Sequence, residues 1–448
     1  MSRLAAEGTV RRPACGAIAR ALPSCRLRGP LPLVLPLLLL IVLPLLVLLL
    51  AGGGCSERDH SNPFDPDNPD TQGQPALLHA IAGDREVELR WNIGDLEGIR
   101  TVEILRRDPG GAVTSLVPSG LDPVSGSLVD PSVQNGTEYA YRLRLQLDSG
   151  TSQETEWDLA TPGTTVAWVA DADGGGLVRI SPDGRDVVQQ RLGGSWVLDA
   201  VADSASSSVW SADYLLGAVR EHSWDGELLR EFEALGARAV AVPPVGGGCW
   251  VALYPSATLE RRTGGGQLLW ADSTAGHVED LLSLPAQFDE RLWAVNSEGQ
   301  ANVYRDQERQ TIEGFTRPVA LARSGADDVL LLDRGTGRVH RYDPSGEPKA
   351  TSEALFADAV DICRDGGNGA WVADPGRAQV IHLDAGLAVI DSIAVDGVLG
   401  LAWDDEQGKL WTVGLSGLRV FGESGERTAS LSLGPRPVAI AILHISRR

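Results

Sequence analysis

Apolar positions recur along the chain in one short pattern, a strand that carries a tryptophan and ends on a polar residue. The clearest copies are Ala167-Trp168-Val169-Ala170-Asp171 and Ala370-Trp371-Val372-Ala373-Asp374. Other copies begin at Trp210, Trp250, Trp293 and Trp411, and the degenerate Leu330-Leu331-Leu332-Asp333 fills the remaining gap. Successive copies start 42, 40, 43, 37, 41 and 40 residues apart. A fixed period in this range predicts a repeat architecture.

Each repeat predicts four strands. An apolar strand such as 318–322 precedes the tryptophan strand, and a third strand such as 177–180 follows it after a glycine-containing turn. Pairs such as Asp183-Gly184 and Ser345-Gly346 then supply the positive φ that tight hairpins need, before a more polar fourth strand. This order predicts an all-β fold, with a seven-bladed β-propeller over residues 163–448. The fourth and fifth repeats are the weakest, so six or eight blades stay open.

The two ends of the repeat region complement each other. The first repeat begins at Trp168 without an inner strand, whereas residues 436–442 form an inner strand that no repeat follows. We therefore expect the C-terminal strand to complete the first blade and close the ring, which removes an exposed edge. The repeat resembles NHL-type and related propellers. That resemblance implies the fold but no activity, because the fold carries lyases, lactonases and plain binding scaffolds.

Residues 76–162 show a different pattern. Val87, Leu89 and Trp91 alternate with polar residues, which is typical of a half-buried strand. Short strands with turns between them predict a small β-sandwich. Trp91 and the stretch from Asn135-Gly136 to Tyr139-Ala140-Tyr141, which looks like a tyrosine corner, make the segment resemble a fibronectin type III domain. The resemblance implies a spacer or binding module.

The first 54 residues read as an export signal. Six arginines precede the almost purely apolar run 31–51, and Gly52-Gly53-Gly54 leads to Cys55. This resembles the lipobox of bacterial lipoproteins, which implies a lipid on Cys55, a membrane anchor and a place in the cell envelope. Gly52 stands where such families prefer leucine. The apolar run is also long enough to cross a bilayer as an uncleaved helix, which is the alternative interpretation.

A proline- and aspartate-rich tether is predicted over residues 55–75. Its carboxylates could hold Ca²⁺, although Asp-Pro turns in a solvated spacer are the simpler interpretation. No other cofactor is predicted. The formal net charge is −21 and only two lysines occur, Lys349 and Lys409, so a nucleic acid partner is excluded. Cys249 and Cys363 are interpreted as free thiols within apolar strands.

Two sets of polar residues are candidates for a site. One ends the second strands: Asp171, Asp213, Asn296, Asp333 and Asp374. These side chains could bind a cation or a polyol on one face, or each could cap its own turn. The other set lies in or beside the inner strands: Asp199, Asp280, Asp358, Asp361 and Asp404. The tryptophans are interpreted as packing between blades.

Two hypotheses on function stay open. The first is a non-enzymatic, membrane-anchored lipoprotein that binds a protein, peptide or glycan on a propeller face. The second is a metal-dependent propeller enzyme of the lactonase or lyase type, with its site at the central channel. The second requires at least three carboxylate or imidazole groups that converge on the channel. The sequence contains no nucleophile elbow and no phosphate-binding loop, so no catalytic residue is predicted.

Overall fold

The computed structural model describes residues 77–93, 98–116, 125–173, 176–192, 194–244, 247–285, 290–305, 307–325 and 327–445. The predicted export signal, Cys55 and the predicted tether lie outside these residues. No helix in the described part of the chain is long and apolar enough to cross a membrane.

The first eight strands form two antiparallel sheets. Their bounds are β1 (Leu77–Ala82), β2 (Val87–Asn92), β3 (Ile99–Arg107), β4 (Val113–Ser115), β5 (Ser125–Asp130), β6 (Tyr139–Leu147), β7 (Ser152–Glu154) and β8 (Asp158–Ala160). One sheet has the order β1-β2-β5 and the other β4-β3-β6-β7, with β8 also paired to β6. Val87, Leu89 and Trp91 are buried and their neighbours are not, so the predicted alternation is confirmed. These residues share a core with Tyr141 of the second sheet.

The next strands form four-stranded antiparallel sheets. Their bounds are β9 (Thr165–Asp171), β10 (Gly176–Ile180), β11 (Val187–Leu192), β12 (Val197–Asp203), β13 (Ser208–Asp213), β14 (Ala218–Ser223), β15 (Leu228–Glu233), β16 (Ala237–Ala241), β17 (Cys249–Leu253), β18 (Thr258–Arg262), β19 (Leu268–Asp272), β20 (Val278–Ser283), β21 (Leu292–Asn296), β22 (Gln300–Arg305) and β23 (Glu308–Glu313).

The series continues to the C-terminus with β24 (Pro318–Arg323), β25 (Val329–Asp333), β26 (Arg338–Tyr342), β27 (Pro348–Thr351), β28 (Asp361–Arg364), β29 (Ala370–Asp374), β30 (Gln379–Leu383), β31 (Val389–Ala394), β32 (Val398–Asp404), β33 (Lys409–Gly414), β34 (Gly417–Phe421), β35 (Arg427–Leu431) and β36 (Pro437–His444). One short 3₁₀ helix, Pro375–Arg377, follows β29. The described residues therefore contain seven four-stranded sheets.

We number these sheets along the chain. Sheet 1 is β36-β9-β10-β11, and sheets 2 to 7 are β12–β15, β16–β19, β20–β23, β24–β27, β28–β31 and β32–β35. The C-terminal strand β36 pairs with β9, so the first sheet combines both ends of the repeat region. Each first strand contacts the first strand of the next sheet, and β36 contacts both β12 and β32. The sheets therefore follow one another in a closed cycle, which is the β-propeller architecture.

Tryptophans of the second strands pack between neighbouring sheets. Trp168, Trp210, Trp293 and Trp411 are at most 1 % exposed. Trp411 of sheet 7 contacts the cluster that holds Val178 and Ile180 of sheet 1. Trp293 of sheet 4 shares a cluster with residues of sheet 5. The predicted packing role is confirmed, and the contact holds because two sheet faces exclude water around one large apolar ring.

The ring has two faces. In a four-stranded meander, the turn between the second and third strands lies at the same end as the connection that leads to the next first strand. We call the face with these loops the upper face, and the opposite one the lower face. The two N-terminal sheets, built from β1–β8, meet the lower face of the ring. There the Gly163 amide donates to the Gly83 carbonyl at 2.9 Å. Arg185 also pairs with Glu138 across this junction at 2.9 Å.

Candidate functional site

The residues that end the second strands lie on the upper face and accept main-chain N–H groups. Asp333 accepts from Thr316 at 3.0 Å and from Arg317 at 2.8 Å. Asp374 binds the loop before β28 in the same way, through the amides of Ala357 and Asp358. Burial alone would raise the pKa of Asp333, but these hydrogen bonds outweigh it and lower the pKa. Each carboxylate therefore fastens the incoming loop to its own sheet.

The other three members of this set make similar local bonds. Asp213 accepts the Ser195 amide at 2.8 Å, and Asp171 accepts the Asp173 amide at 3.0 Å. Asn296 accepts from Gln300 and donates to the Ala275 carbonyl. All five residues are at most 1 % exposed. Within the described ranges, no hydrogen bond joins one of the five to another.

Three of the five acidic candidates near the inner strands meet at the central axis. Asp199, Asp280 and Asp361 occupy the same register position of β12, β20 and β28, and their charges act on one another across the channel. Asp358 instead pairs with Arg334 on the upper face at 2.6 Å. Asp404 is buried and accepts the Thr165 hydroxyl of sheet 1 at 2.7 Å.

Burial controls the acidity of these axial groups. It raises the pKa of Asp361 to about 7, although the amides of Leu401 and Ile362 act in the opposite direction. Burial likewise raises the pKa of Asp280 well above its usual range, and the Asp199 charge adds to the effect. The pKa of Asp199 is raised for the same reason. In the part of the chain that the structure describes, no group of three His, Cys, Asp or Glu side chains could hold a metal ion.

Sheets 3 and 4 depart from the other sheets at the upper end of the channel. Just before the axial position, five first strands carry half-buried aliphatic residues: Leu198, Val319, Val360, Leu399 and Val438. The equivalent residues of sheets 3 and 4 are Arg238 and Glu279, whose Nη2 and Oε2 atoms lie 2.6 Å apart. The channel mouth therefore has an aliphatic collar that one ion pair interrupts.

The strand-end position also departs in these two sheets, as it does in sheet 7, where Gly414 occupies it. Leu253 occupies it in sheet 3 and Asn296 in sheet 4. Glu298, two residues beyond, performs the capping: its Oε2 accepts the His277 amide at 3.0 Å, and its Oε1 lies 2.5 Å from His277 Nδ1. Burial would raise the pKa of Glu298, but the hydrogen bond from His277 lowers it. Gly276 is necessary here, because a Cβ atom would lie 2.5 Å from Glu298 Oε2.

A tyrosine connects the two departures. The Tyr254 ring lies 5.1 Å from the His277 ring and 5.9 Å from the Arg238 guanidinium. We call Arg238, Tyr254, His277, Glu279 and Glu298 the mouth cluster. The His277 and Glu298 side chains are 43 % and 42 % exposed. The cluster combines a cation, two carboxylates, an imidazole and an aromatic ring at one accessible place.

Exposed leucines surround the channel on the same face. They occupy turns and connections of the upper face and are all more than half exposed: Leu215, Leu216, Leu235, Leu355 and Leu415. Leu235 lies in the connection from sheet 2 to sheet 3, three residues before Arg238 in the chain. Charged and aromatic groups beside exposed apolar side chains suit a ligand that is partly apolar.

A cleft of about 200 Å³ also lies at the junction on the lower face. Its walls include Ile81, Gly83, Gly163, Pro182 and Trp224. Gly83 and Gly163 are hydrogen-bonded across the junction. This space therefore belongs to the interface between the N-terminal sheets (β1–β8) and sheet 1 of the propeller.

Sequence reasoning did not identify the mouth cluster. Its members belong to no motif: three of them lie in loops, and Arg238 and Glu279 lie at irregular strand positions. The sequence does contain a signal. When the seven first strands are aligned, the position just before the axial residue is aliphatic in five of them and charged in two, at Arg238 and Glu279. Placing Tyr254, His277 and Glu298 beside them required the tertiary structure.

The sequence matches no protein-family model and no curated protein. Among solved structures, virginiamycin B lyase from Staphylococcus aureus is 14 % identical with a TM-score of 0.48, over 55 % of this chain and 87 % of that chain. The WD40 propeller domain of Doa1 is 12 % identical with a TM-score of 0.49, over 58 % and 90 %. A nidogen/laminin complex chain is 13 % identical with a TM-score of 0.44, over 62 % and 98 %. These neighbours are β-propellers, and the likeness concerns the fold alone.

Proposed function

We propose that this protein is a membrane-anchored envelope lipoprotein whose seven-bladed propeller binds a protein or peptide ligand at the mouth cluster. One observation carries the proposal: sheets 3 and 4 replace the aliphatic collar by the Arg238–Glu279 ion pair, and the loops of the same two sheets carry Tyr254, His277 and Glu298. A structural task recurs in every blade, as the caps Asp333 and Asp374 do. A binding site has to be built once, so it is expected where equivalent positions stop being equivalent.

The chemistry of the cluster supports a protein or peptide ligand. Tyrosine and arginine are enriched at the energetic centres of protein interfaces, where partly buried side chains are surrounded by apolar groups. Tyr254 lies between Arg238 and His277, and Leu235 supplies apolar surface nearby. The Arg238–Glu279 ion pair and the His277–Glu298 hydrogen bond hold the polar side chains in place before the ligand arrives, which lowers the entropy cost of binding.

The first domain supports an orientation away from a membrane. We propose a fibronectin type III-like sandwich at residues 76–162, with Tyr139 accepting the Gln134 amide at 3.2 Å in its corner. Strand β1 runs from Leu77 toward the junction at Gly83, so Leu77 lies at the end of the sandwich remote from the propeller. A tether and a lipid on Cys55 would then leave the upper face exposed to ligands.

Peptide selection tests the binding proposal. The full chain is used to select binders from a displayed library of random peptides, and the affinity of the selected peptides is measured. Tyr254→Ala and Arg238→Ala should each weaken binding by about tenfold or more. Leu415→Ala, an exposed residue of sheet 7 on the same face, is the matched control and should change it little. Selected peptides that depend on Leu415 and ignore Tyr254 would refute the proposed site.

Lipid labelling tests the anchor. The Cys55→Ser variant should lose incorporation of labelled fatty acid and leave the membrane fraction. Loss of label with retention in the membrane would instead indicate the uncleaved apolar helix.

An enzyme is the second candidate, and the His277–Glu298 pair is the observation that favours it. Glu298 occupies Nδ1, and no described residue hydrogen-bonds to Nε2, so the neutral imidazole can accept a proton there. Hydrolysis of simple lactones and activated esters by the full chain tests this activity. A rate that His277→Ala lowers at least tenfold, while His382→Ala leaves it unchanged, would support a hydrolase or lyase; equal rates would exclude this role of His277.

A further inference from the structure

The axial position of the first strands alternates between two kinds of residue. From sheet 2 to sheet 7 the residues are Asp199, Ala239, Asp280, Ala320, Asp361 and Gly400, and the C-terminal strand carries Ala439. The aspartates follow one another at intervals of 81 residues, which is two repeats. The inner ring is therefore organised in pairs of sheets, and sheet 1 stands outside the pairs.

Each aspartate joins the two first strands of its pair. Oδ2 of Asp199 accepts the Val240 amide of the next sheet at 2.9 Å. Oδ2 of Asp280 and of Asp361 accept the Leu321 and Leu401 amides, both at 2.7 Å. The other oxygen of Asp280 and of Asp361 accepts the following amide of its own strand. Three side chains thus connect sheets 2 to 3, 4 to 5 and 6 to 7.

Small residues occupy the axial position of the strands between the aspartates. Ala239, Ala320 and Gly400 each directly precede the amide that donates to the neighbouring aspartate. At Gly400 the space is already filled, because a Cβ atom would lie 2.7 Å from the Val438 carbonyl oxygen. The alternation therefore pairs a carboxyl group on one first strand with a small residue and a donating amide on the next.

Little charge compensation reaches the three carboxyl groups. Arg238 is the cation that acts on Asp199, and it is already paired with Glu279. Asp280 faces the charges of Asp199 and Asp361, and Asp361 faces that of Asp199 and the thiol of Cys363. Three carboxylates that face the same channel repel one another, and protonation removes this repulsion. The amide bonds favour the ionised form but do not outweigh burial.

We propose that Asp199, Asp280 and Asp361 form a proton-linked lock, which holds the inner strands in pairs while the carboxyl groups are uncharged and loosens the ring as they ionise. The pKa of all three is raised by burial, and that of Asp361 reaches about 7. A raised pKa means that the folded state binds more protons than the unfolded chain between pH ~4 and ~7. The contribution of these three groups to stability should therefore be largest on the acidic side of this window and fall as the pH rises through it. This device does not depend on the proposed ligand.

Unfolding of the full chain between pH 5 and 8 tests the lock. The unfolding equilibrium constant of the wild type, relative to that of Asp361→Ala, should rise with pH by up to about tenfold per unit until pH ~7. Alanine is the residue that the intervening sheets carry at this position. The pKa values of His222 and His340 are lowered by burial, which makes stability rise with pH, but both proteins share these groups. The relative constant isolates Asp361.

Asp391→Ala, an exposed aspartate of the same sheet, is the matched control and should run parallel to the wild type. Parallel curves for Asp361→Ala and the wild type would overturn the proposal. Carboxyl ¹³C resonances of the wild type provide a measurement that needs no variant. Titration of the assigned Asp199, Asp280 and Asp361 resonances above pH 5.5 supports the lock, and titration of any of the three below pH 5.5 overturns it. Asp186, whose pKa burial raises to about 6, is assigned separately.

Discussion

Sheets 5 and 6 and sheets 3 and 4 share one backbone plan but use equivalent positions differently. In sheets 5 and 6, Asp333 and Asp374 fasten the incoming loop, and aliphatic residues line the channel mouth. In sheets 3 and 4 these positions carry other residues, and Glu298 fastens the loop by bonding the His277 amide. The difference teaches that capping can move by two residues without a change of fold.

Removal of the C-terminal strand is expected to have the largest effect, and it should not distinguish the two regions. Deletion of residues 436–448 removes the partner of β9 and the contacts of β36 with β12 and β32. The ring then has an open edge, so all sheets should lose cooperative thermal unfolding. Deletion of 446–448 alone is the control. Retention of native circular dichroism and a cooperative transition in the longer deletion would contradict the closure.

Substitution of the second-strand tryptophans should lower the free energy of unfolding by different amounts in the two regions. Trp371→Ala in sheet 6 removes a buried ring and should lower the free energy of unfolding by about 3–5 kcal/mol. Trp250 of sheet 3 is half-buried against Trp270, so Trp250→Ala should lower it by roughly half as much. Urea denaturation of both variants measures the difference. Equal losses would show that burial does not set the contribution of this position.

The capping carboxylates should contribute more to the free energy of unfolding in sheets 5 and 6 than in sheets 3 and 4. Asp333→Ala leaves two amides of the incoming loop unpaired and should cost about 1–3 kcal/mol. Glu298→Ala should cost less than about 1 kcal/mol, because its side chain is 42 % exposed. The pKa of Asp333 is lowered in the folded state, so its contribution exists above the ordinary pKa of aspartate and is lost on acidification through the folded value. The gap between wild type and Asp333→Ala should therefore shrink below pH ~4, and a constant gap would contradict the charged cap.

The mouth cluster should have the smallest effect on stability and the clearest effect on ligands. Tyr254→Ala and Arg238→Ala remove half-buried side chains and should each change the free energy of unfolding by about 1 kcal/mol or less. Their peptide affinities should still fall about tenfold. A variant that loses affinity only in proportion to lost folded protein would assign the cluster a structural role, and thermal melts of the samples used for binding make this distinction.

Local pattern was sufficient for the repeated elements. The tryptophan strands, the glycine turns and the missing inner strand of the first repeat are encoded within short stretches, because each depends on alternation and on φ preferences. The pairing of β36 with β9 confirms the expected position of the C-terminal strand. The alternatives for the strand-end residues stayed open, because an aspartate that caps a turn and one that binds a cation look the same in sequence.

Only the tertiary structure decided which carboxylates share the axis. Asp358 and Asp361 are three residues apart, yet Asp358 bonds Arg334 on the upper face while Asp361 joins two first strands at the channel. The partner amide, Leu401, lies 40 residues further along the chain. The sequence by itself determined the repeat, its strand order and the packing tryptophans, since these follow from local periodicity. The placement of the three axial aspartates and of the mouth cluster depends on contacts between neighbouring sheets. Those contacts exist only after the ring of sheets has closed.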